Sequence, residues 1–62
     1  MPFITIKILE GHSVDRKRKM VEEITESVAR IAQIPESYVQ IVIQDISKEN
    51  WGANKHLLCD ED

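Results

Sequence analysis

Apolar and polar residues alternate near the start of the chain and again after its midpoint. Within residues 3–9, isoleucine occupies every second position, at Ile4, Ile6 and Ile8. Val39 to Asp45 repeats the pattern, with Val39, Ile41 and Ile43 on one face. β-branched residues with a period of two are typical of strands covered on one side. The pattern therefore predicts two β-strands.

Between these strands the apolar spacing changes to that of a helix. One stripe is apolar and contains Met20, Val21, Ile24, Val28, Ile31 and Ala32. Ser13 is a favourable N-cap, and Pro35 ends the helix, so Gln33 or Ile34 is the last helical position expected. Lys17 falls on the apolar side, where we expect its stem to pack and its amine to reach water.

The order of strand, helix and strand predicts an α/β fold built from a single βαβ unit. Its strands are parallel and joined by a right-handed crossover. Asn50 to Asn54 predicts a C-terminal turn or hairpin, so residues 1–62 form one domain. A lone βαβ unit leaves both sheet edges open and one face bare. We therefore expect the fold to be completed by oligomerisation.

The length of the chain leads to the same expectation. A monomer of 62 residues buries only about 60% of its unfolded surface, and such chains are usually stabilised by disulfides, a metal or partner subunits. Cys59 is the only cysteine, which excludes a disulfide within the chain. His12, His56 and Cys59 lack a recognisable ligand spacing, so we predict no metal site. Of these three means of stabilisation, association with partner subunits is the one that remains.

Charge and hydropathy narrow the possible partners. The net charge is −3 and the sequence pI is about 5.3, which argues against nucleic-acid binding. No apolar run approaches the ~20 residues of a membrane span, and the N-terminus has no signal-peptide layout. A lone cysteine fits a reducing compartment. We expect a cytoplasmic protein without membrane or nucleic-acid partners.

Pro2 is the clearest candidate for a catalytic residue. Methionine aminopeptidases remove Met1 when the second residue is small, which would leave a free secondary amine. Model α-amino groups titrate near 7.7–8.0, and an apolar pocket lowers such a pKa because it desolvates the charged form. That amine could act as a general base at neutral pH. The alternative is that Met-Pro is an ordinary chain start.

The geometry of parallel strands predicts which residues lie beside Pro2. Parallel strands start at the same end of a sheet, so Pro2 should lie beside Val39 and Gln40, about 4.8 Å away.

Several segments together carry a family resemblance. The chain begins Met-Pro-Phe-Ile-Thr-Ile-Lys-Ile-Leu-Glu-Gly, has Pro35 before the second strand, and has Asn50-Trp51-Gly52 near its end. Over nearly its whole length it resembles the 4-oxalocrotonate tautomerase family. The resemblance implies a βαβ fold, a catalytic proline at Pro2, and a homohexamer such as a trimer of dimers. It also implies a pocket completed by neighbouring subunits.

The chain departs from this family at two positions. His12 stands where the family has an arginine after the Glu-Gly turn, and Gln40 where it has an arginine early in strand two. The resemblance assigns carboxylate binding to both positions, but neither residue offers the fixed bidentate fork of arginine. Trp51 matches the family's aromatic. Alternatively, His12 and Gln40 are ordinary exposed residues, and Trp51 seals a subunit interface.

The resemblance and the residues together predict a tautomerase that moves a proton in small 2-oxo acids or 2-hydroxydienoates. Pro2 would be the base, while His12, Gln40 and Trp51 would contact the substrate. No cofactor is expected, because the substrate carbonyl accepts the electrons. The alternatives are a non-catalytic oligomer that has lost the arginines, or a related proline-based hydratase or dehalogenase.

Overall fold

The computed structural model describes residues 1–61 and contains the predicted βαβ unit. Its elements are β1 (Phe3–Leu9), α1 (Val14–Ala32) and β2 (Gln40–Ile46). β1 and β2 are parallel, with Phe3 opposite Gln40 and Leu9 opposite Ile46. The predicted fold class is therefore confirmed.

β2 begins and ends one residue later than predicted, at Gln40 and Ile46. A short 3₁₀ turn, Glu36–Tyr38, precedes the strand. The backbone N–H of Val39 donates to the carbonyl oxygen of Glu36 over 3.1 Å, which makes Val39 the end of that turn. Alternation alone could not separate Val39 from the strand, because its backbone is extended as well.

Local capping sets both ends of α1. The hydroxyl oxygen of Ser13 accepts a hydrogen bond from the backbone N–H of Arg16 over 3.2 Å, as expected of an N-cap. At the other end, Gln33 adopts a left-handed conformation (φ 58°, ψ 51°). The N–H of Ile34 then donates to the carbonyl oxygen of Ala29 over 3.0 Å, and Pro35 prevents continuation.

The two faces of the sheet differ in exposure. Half-buried isoleucines occupy one face, at Ile4, Ile6, Ile8, Ile41 and Ile43. The other face is open, and there Phe3 is 64% exposed and Val42 is 40% exposed. This confirms that a single βαβ unit leaves one sheet face uncovered.

The side chain of Lys17 is only 26% exposed, as expected for a stem that packs on the apolar side. Its amine makes an ion pair that was not predicted, with Nζ 2.6 Å from Oδ2 of Asp45. The ion pair connects α1 to β2 because Asp45 lies near the end of that strand.

A small hairpin follows β2, as predicted. Its strands are β3 (Gly52–Ala53) and β4 (His56–Leu57), which pair in antiparallel fashion. Asn54 and Lys55 form the turn with φ values of 51° and 70°. Positive φ at both central residues is the requirement of a type I′ turn. Two further 3₁₀ turns, Lys48–Asn50 and Leu58–Asp60, flank the hairpin.

The single chain is too open to hold a core of its own. Its radius of gyration is 14.7 Å, whereas a compact domain of this length has about 10.6 Å. Among residues 1–61, Ala29 alone is buried, at 6% exposure. The same residues contain no helix with the length and apolar character needed to cross a membrane.

Candidate active site

Pro2 and Gln40 lie together at the amino ends of the two parallel strands. The backbone N–H of Gln40 donates to the carbonyl oxygen of Pro2 over 3.1 Å. Pro2 is half-buried, while Met1 before it is 78% exposed. The predicted neighbourhood of Pro2 and the start of strand two is therefore confirmed.

His12 lies beyond the opposite end of β1. Gly11, with φ of 113°, turns the chain after the strand and places His12 just before α1. The half-buried His12 contributes to an open groove of about 440 Å³ along the first turns of the helix. Its other lining residues are Arg16, Lys19, Met20, Glu23 and Ile24.

Trp51 is also at the carboxyl ends of the strands. It is half-buried and lines a groove of about 300 Å³ with Lys7, Ile46, Asn50 and Gly52. Two hydrogen bonds hold the backbone of Trp51. Its backbone N–H donates to the carbonyl oxygen of Lys48 over 3.4 Å, and its carbonyl oxygen accepts from the backbone N–H of Leu58 over 2.9 Å.

One chain therefore divides the predicted site residues into two groups. Pro2 and Gln40 are at the amino end of the sheet, whereas His12 and Trp51 are at the carboxyl end. β1 separates the ends by about 20 Å, from a rise of about 3.3 Å per residue. A single chain does not bring the four residues into one pocket.

Lys7 is a cation near Trp51 that sequence reasoning did not single out. It lines the same groove, and alternation along β1 places it on the open face with Phe3 and Thr5. That alternation was visible in the sequence, but the hairpin that brings Trp51 beside Lys7 was not. Across residues 1–61, no cluster of three or more histidine, cysteine, aspartate or glutamate side chains is arranged to hold a metal ion.

Comparison with known proteins identifies the family. Residues 2–60 match the family model described as "Tautomerase enzyme". The chain is 38% identical over 52 residues to the 2-hydroxymuconate tautomerase of Comamonas testosteroni, covering 84% of this chain and 82% of that protein.

Solved structures share the fold. The crystal structure of YwhB, a homologue of 4-oxalocrotonate tautomerase, superposes with a TM-score of 0.94 at 30% identity, covering 98% of this chain and 100% of that one. A heterohexameric 4-oxalocrotonate tautomerase from Chloroflexus aurantiacus has the same fold, with a TM-score of 0.94 at 21% identity over the full length of both chains. By its sequence match from residue 2 to residue 60, this chain belongs to the tautomerase family.

Proposed function

We propose that this chain is a subunit of an isomerase that interconverts keto and enol forms of small 2-oxo acids or 2-hydroxydienoates. The amine of Pro2 is the general base. One observation carries the proposal: Pro2 begins the family match and directly precedes β1, where its carbonyl oxygen accepts a hydrogen bond from the backbone N–H of Gln40. The similarity to a 2-hydroxymuconate tautomerase supports this class of substrate.

The proposed reaction is a proton transfer within one molecule. The neutral amine takes the proton from the substrate's 2-hydroxyl group. The oxygen electrons form the carbonyl, and the double-bond electrons move to a carbon of the conjugated chain. That carbon takes the proton back from the Pro2 ammonium, so atoms and electrons balance and the amine is regenerated.

This chemistry requires removal of Met1. A retained methionine makes the Pro2 nitrogen an amide, which is not basic at neutral pH. Met1 is 78% exposed, and Pro2 is a second residue of the small kind after which methionine aminopeptidases remove Met1.

Assembly would unite the two ends of the sheet. β1 pairs with β2 along one edge and leaves its other edge free for a second copy. Two β1 edges related by a two-fold axis run antiparallel. Pro2 of one copy then approaches the end of β1 in the other, where His12 and Trp51 lie. A homohexamer built from such dimers would also cover the open sheet faces.

The remaining site residues have supporting roles in this proposal. Trp51 excludes water from the pocket, which favours the neutral form of the amine. Gln40 donates a neutral hydrogen bond to the polar end of the substrate, and His12 supplies charge only when it is protonated.

A non-catalytic assembly is the second candidate. It is favoured by His12 and Gln40, because neither can hold a carboxylate as an arginine does. Turnover of 2-hydroxymuconate and enol phenylpyruvate by protein lacking Met1, compared with a Pro2→Ala variant, separates the candidates. Turnover that depends on Pro2 supports the isomerase, and conversion at the buffer rate by both proteins supports the non-catalytic assembly.

A further inference from the structure

Lys7 is an unpaired cation on the open face of the sheet. The facing position on β2 is Gln44, which is neutral. The strand's own carboxylate, Asp45, is already bonded to Lys17 at 2.6 Å. Within residues 1–61, no ion pair includes Lys7.

The surroundings of Lys7 suit an organic anion. Its groove has an aromatic wall at Trp51 and an aliphatic one at Ile46, next to the polar side chain of Asn50. Asn50 is oriented because its Nδ2 donates to the hydroxyl of Ser47 over 3.0 Å. An indole and a lysine ammonium that line one groove offer an apolar surface and a charge-assisted hydrogen bond together.

We infer that Lys7 binds a carboxylate group of the substrate in the groove that it forms with Trp51. This assignment rests on the proposed function and names a cation for the substrate carboxylate, which His12 and Gln40 cannot hold as an arginine does. Lys7 is thus a specificity-determining residue for carboxylate substrates.

The two-fold pairing proposed for β1 would bring Lys7 towards Pro2 of the second copy. A two-fold axis at Ile6, the midpoint of Phe3–Leu9, would set Lys7 opposite Thr5 of that copy, three residues from its Pro2. The separation along the strand is about 10 Å, from a rise of about 3.3 Å per residue. A six-carbon diacid can lie between the two groups, with one carboxylate at Lys7 and its reacting end at Pro2.

The test uses adipate, a saturated six-carbon diacid that has no enol to react. Its affinity is measured by titration calorimetry for the wild-type protein and for Lys7→Met, Lys7→Arg and Lys48→Met. Lys48→Met is the matched control, because it removes the same charge from the neighbouring 3₁₀ turn without altering the groove lining. Sedimentation of each variant tests whether the substitution has altered assembly.

We expect Lys7→Met to weaken adipate binding about ten-fold or more, since it removes a hydrogen bond to a charged group. Lys7→Arg should retain most of the affinity, and Lys48→Met should stay within about two-fold of wild type. Equal affinity in wild type and Lys7→Met, equal losses in Lys7→Met and Lys48→Met, or no adipate binding to wild type overturns the assignment.

If Lys7→Met fails to assemble, fluorescence of the wild-type protein provides a second measurement. Trp51 is the sole tryptophan, so adipate bound beside Lys7 should change its emission, whereas the neutral dimethyl adipate should not. Unchanged emission, or the same response to both compounds, contradicts the assignment.

The carboxylate site and the proposed reaction can fail separately. Adipate binding that depends on Lys7, without tautomerase turnover, supports the anion site and overturns the proposed reaction. Turnover that depends on Pro2, with adipate binding that does not depend on Lys7, supports the proposed reaction and overturns the anion site.

Discussion

The ammonium nitrogen of Lys17 lies 2.6 Å from Oδ2 of Asp45, across 28 positions of sequence. This pair joins the beginning of α1 to the end of β2. The two side chains are 26% and 43% exposed, so solvent screens the interaction only in part. The pair therefore helps to fix the helix over the sheet.

A double-mutant cycle with Lys17→Met and Asp45→Asn should give a coupling energy of about 0.5–1 kcal/mol that falls as salt is added. The control is the pair of Arg18 and Asp15, which also lie 2.6 Å apart but have side chains 72% and 88% exposed. We expect a coupling below about 0.5 kcal/mol there. Equal coupling in denaturant unfolding of both sets would contradict the structural role assigned to Lys17.

The open sheet face predicts stable self-association. Val42→Asp places a charge in the middle of that face, so the variant should sediment as smaller species at micromolar concentration. The control is Val14→Asp, because Val14 is more exposed (60% against 40%) but lies at the start of α1. A folded wild-type monomer at micromolar concentration, or intact assembly of Val42→Asp, would show that another copy does not cover this face.

Replacement of Gln40 tests the effect of the missing arginine. Gln40→Arg should raise kcat/KM for the dicarboxylate 2-hydroxymuconate about ten-fold or more, because a charge-assisted hydrogen bond contributes about 1.5–3 kcal/mol. Enol phenylpyruvate, with one carboxylate, should gain less. Gln40→Lys is the matched control, since it adds charge without the planar fork and should give a smaller gain. Similar gains for both variants, or none for Gln40→Arg, would refute the carboxylate role of position 40.

The sequence was sufficient to predict the fold because its signals are local. Alternating isoleucines, the Ser13 cap and Pro35 act within a few residues, so β1, α1 and β2 are recovered to within about two residues at each end. The ion pair between Lys17 and Asp45 was missed because its partners meet only after the chain has folded. The tight turn was also difficult to specify, since Lys55 adopts a positive φ that non-glycine residues seldom show.

The site was predictable only in part, for a geometric reason. Parallel strands start together, which was enough to place Pro2 beside Gln40. The same rule puts His12 at the far end of β1, so four residues chosen for one pocket could not all meet within one chain. The groove of Lys7 and Trp51 depends on how the hairpin returns to the sheet, for which the sequence carries no local signal.

The central claim is that the amine of Pro2 transfers the proton. Pro2→Ala keeps a free amine but replaces the ring nitrogen with a flexible primary one. General-base contributions are typically about 10²–10⁴-fold, so kcat/KM should fall within that range while circular dichroism and sedimentation remain unchanged. Protein that retains Met1 should lose at least as much activity. Below the pKa of the amine the rate should also decrease, because the protonated form cannot accept a proton.

The most direct measurement is therefore the kcat/KM of protein whose intact mass confirms the loss of Met1, determined with 2-hydroxymuconate and enol phenylpyruvate beside its Pro2→Ala variant. The account predicts turnover well above the buffer rate for the wild type and a decrease of about 10²-fold or more for the variant. Equal rates for the two proteins, at the level of buffer alone, would contradict it and leave a non-catalytic assembly.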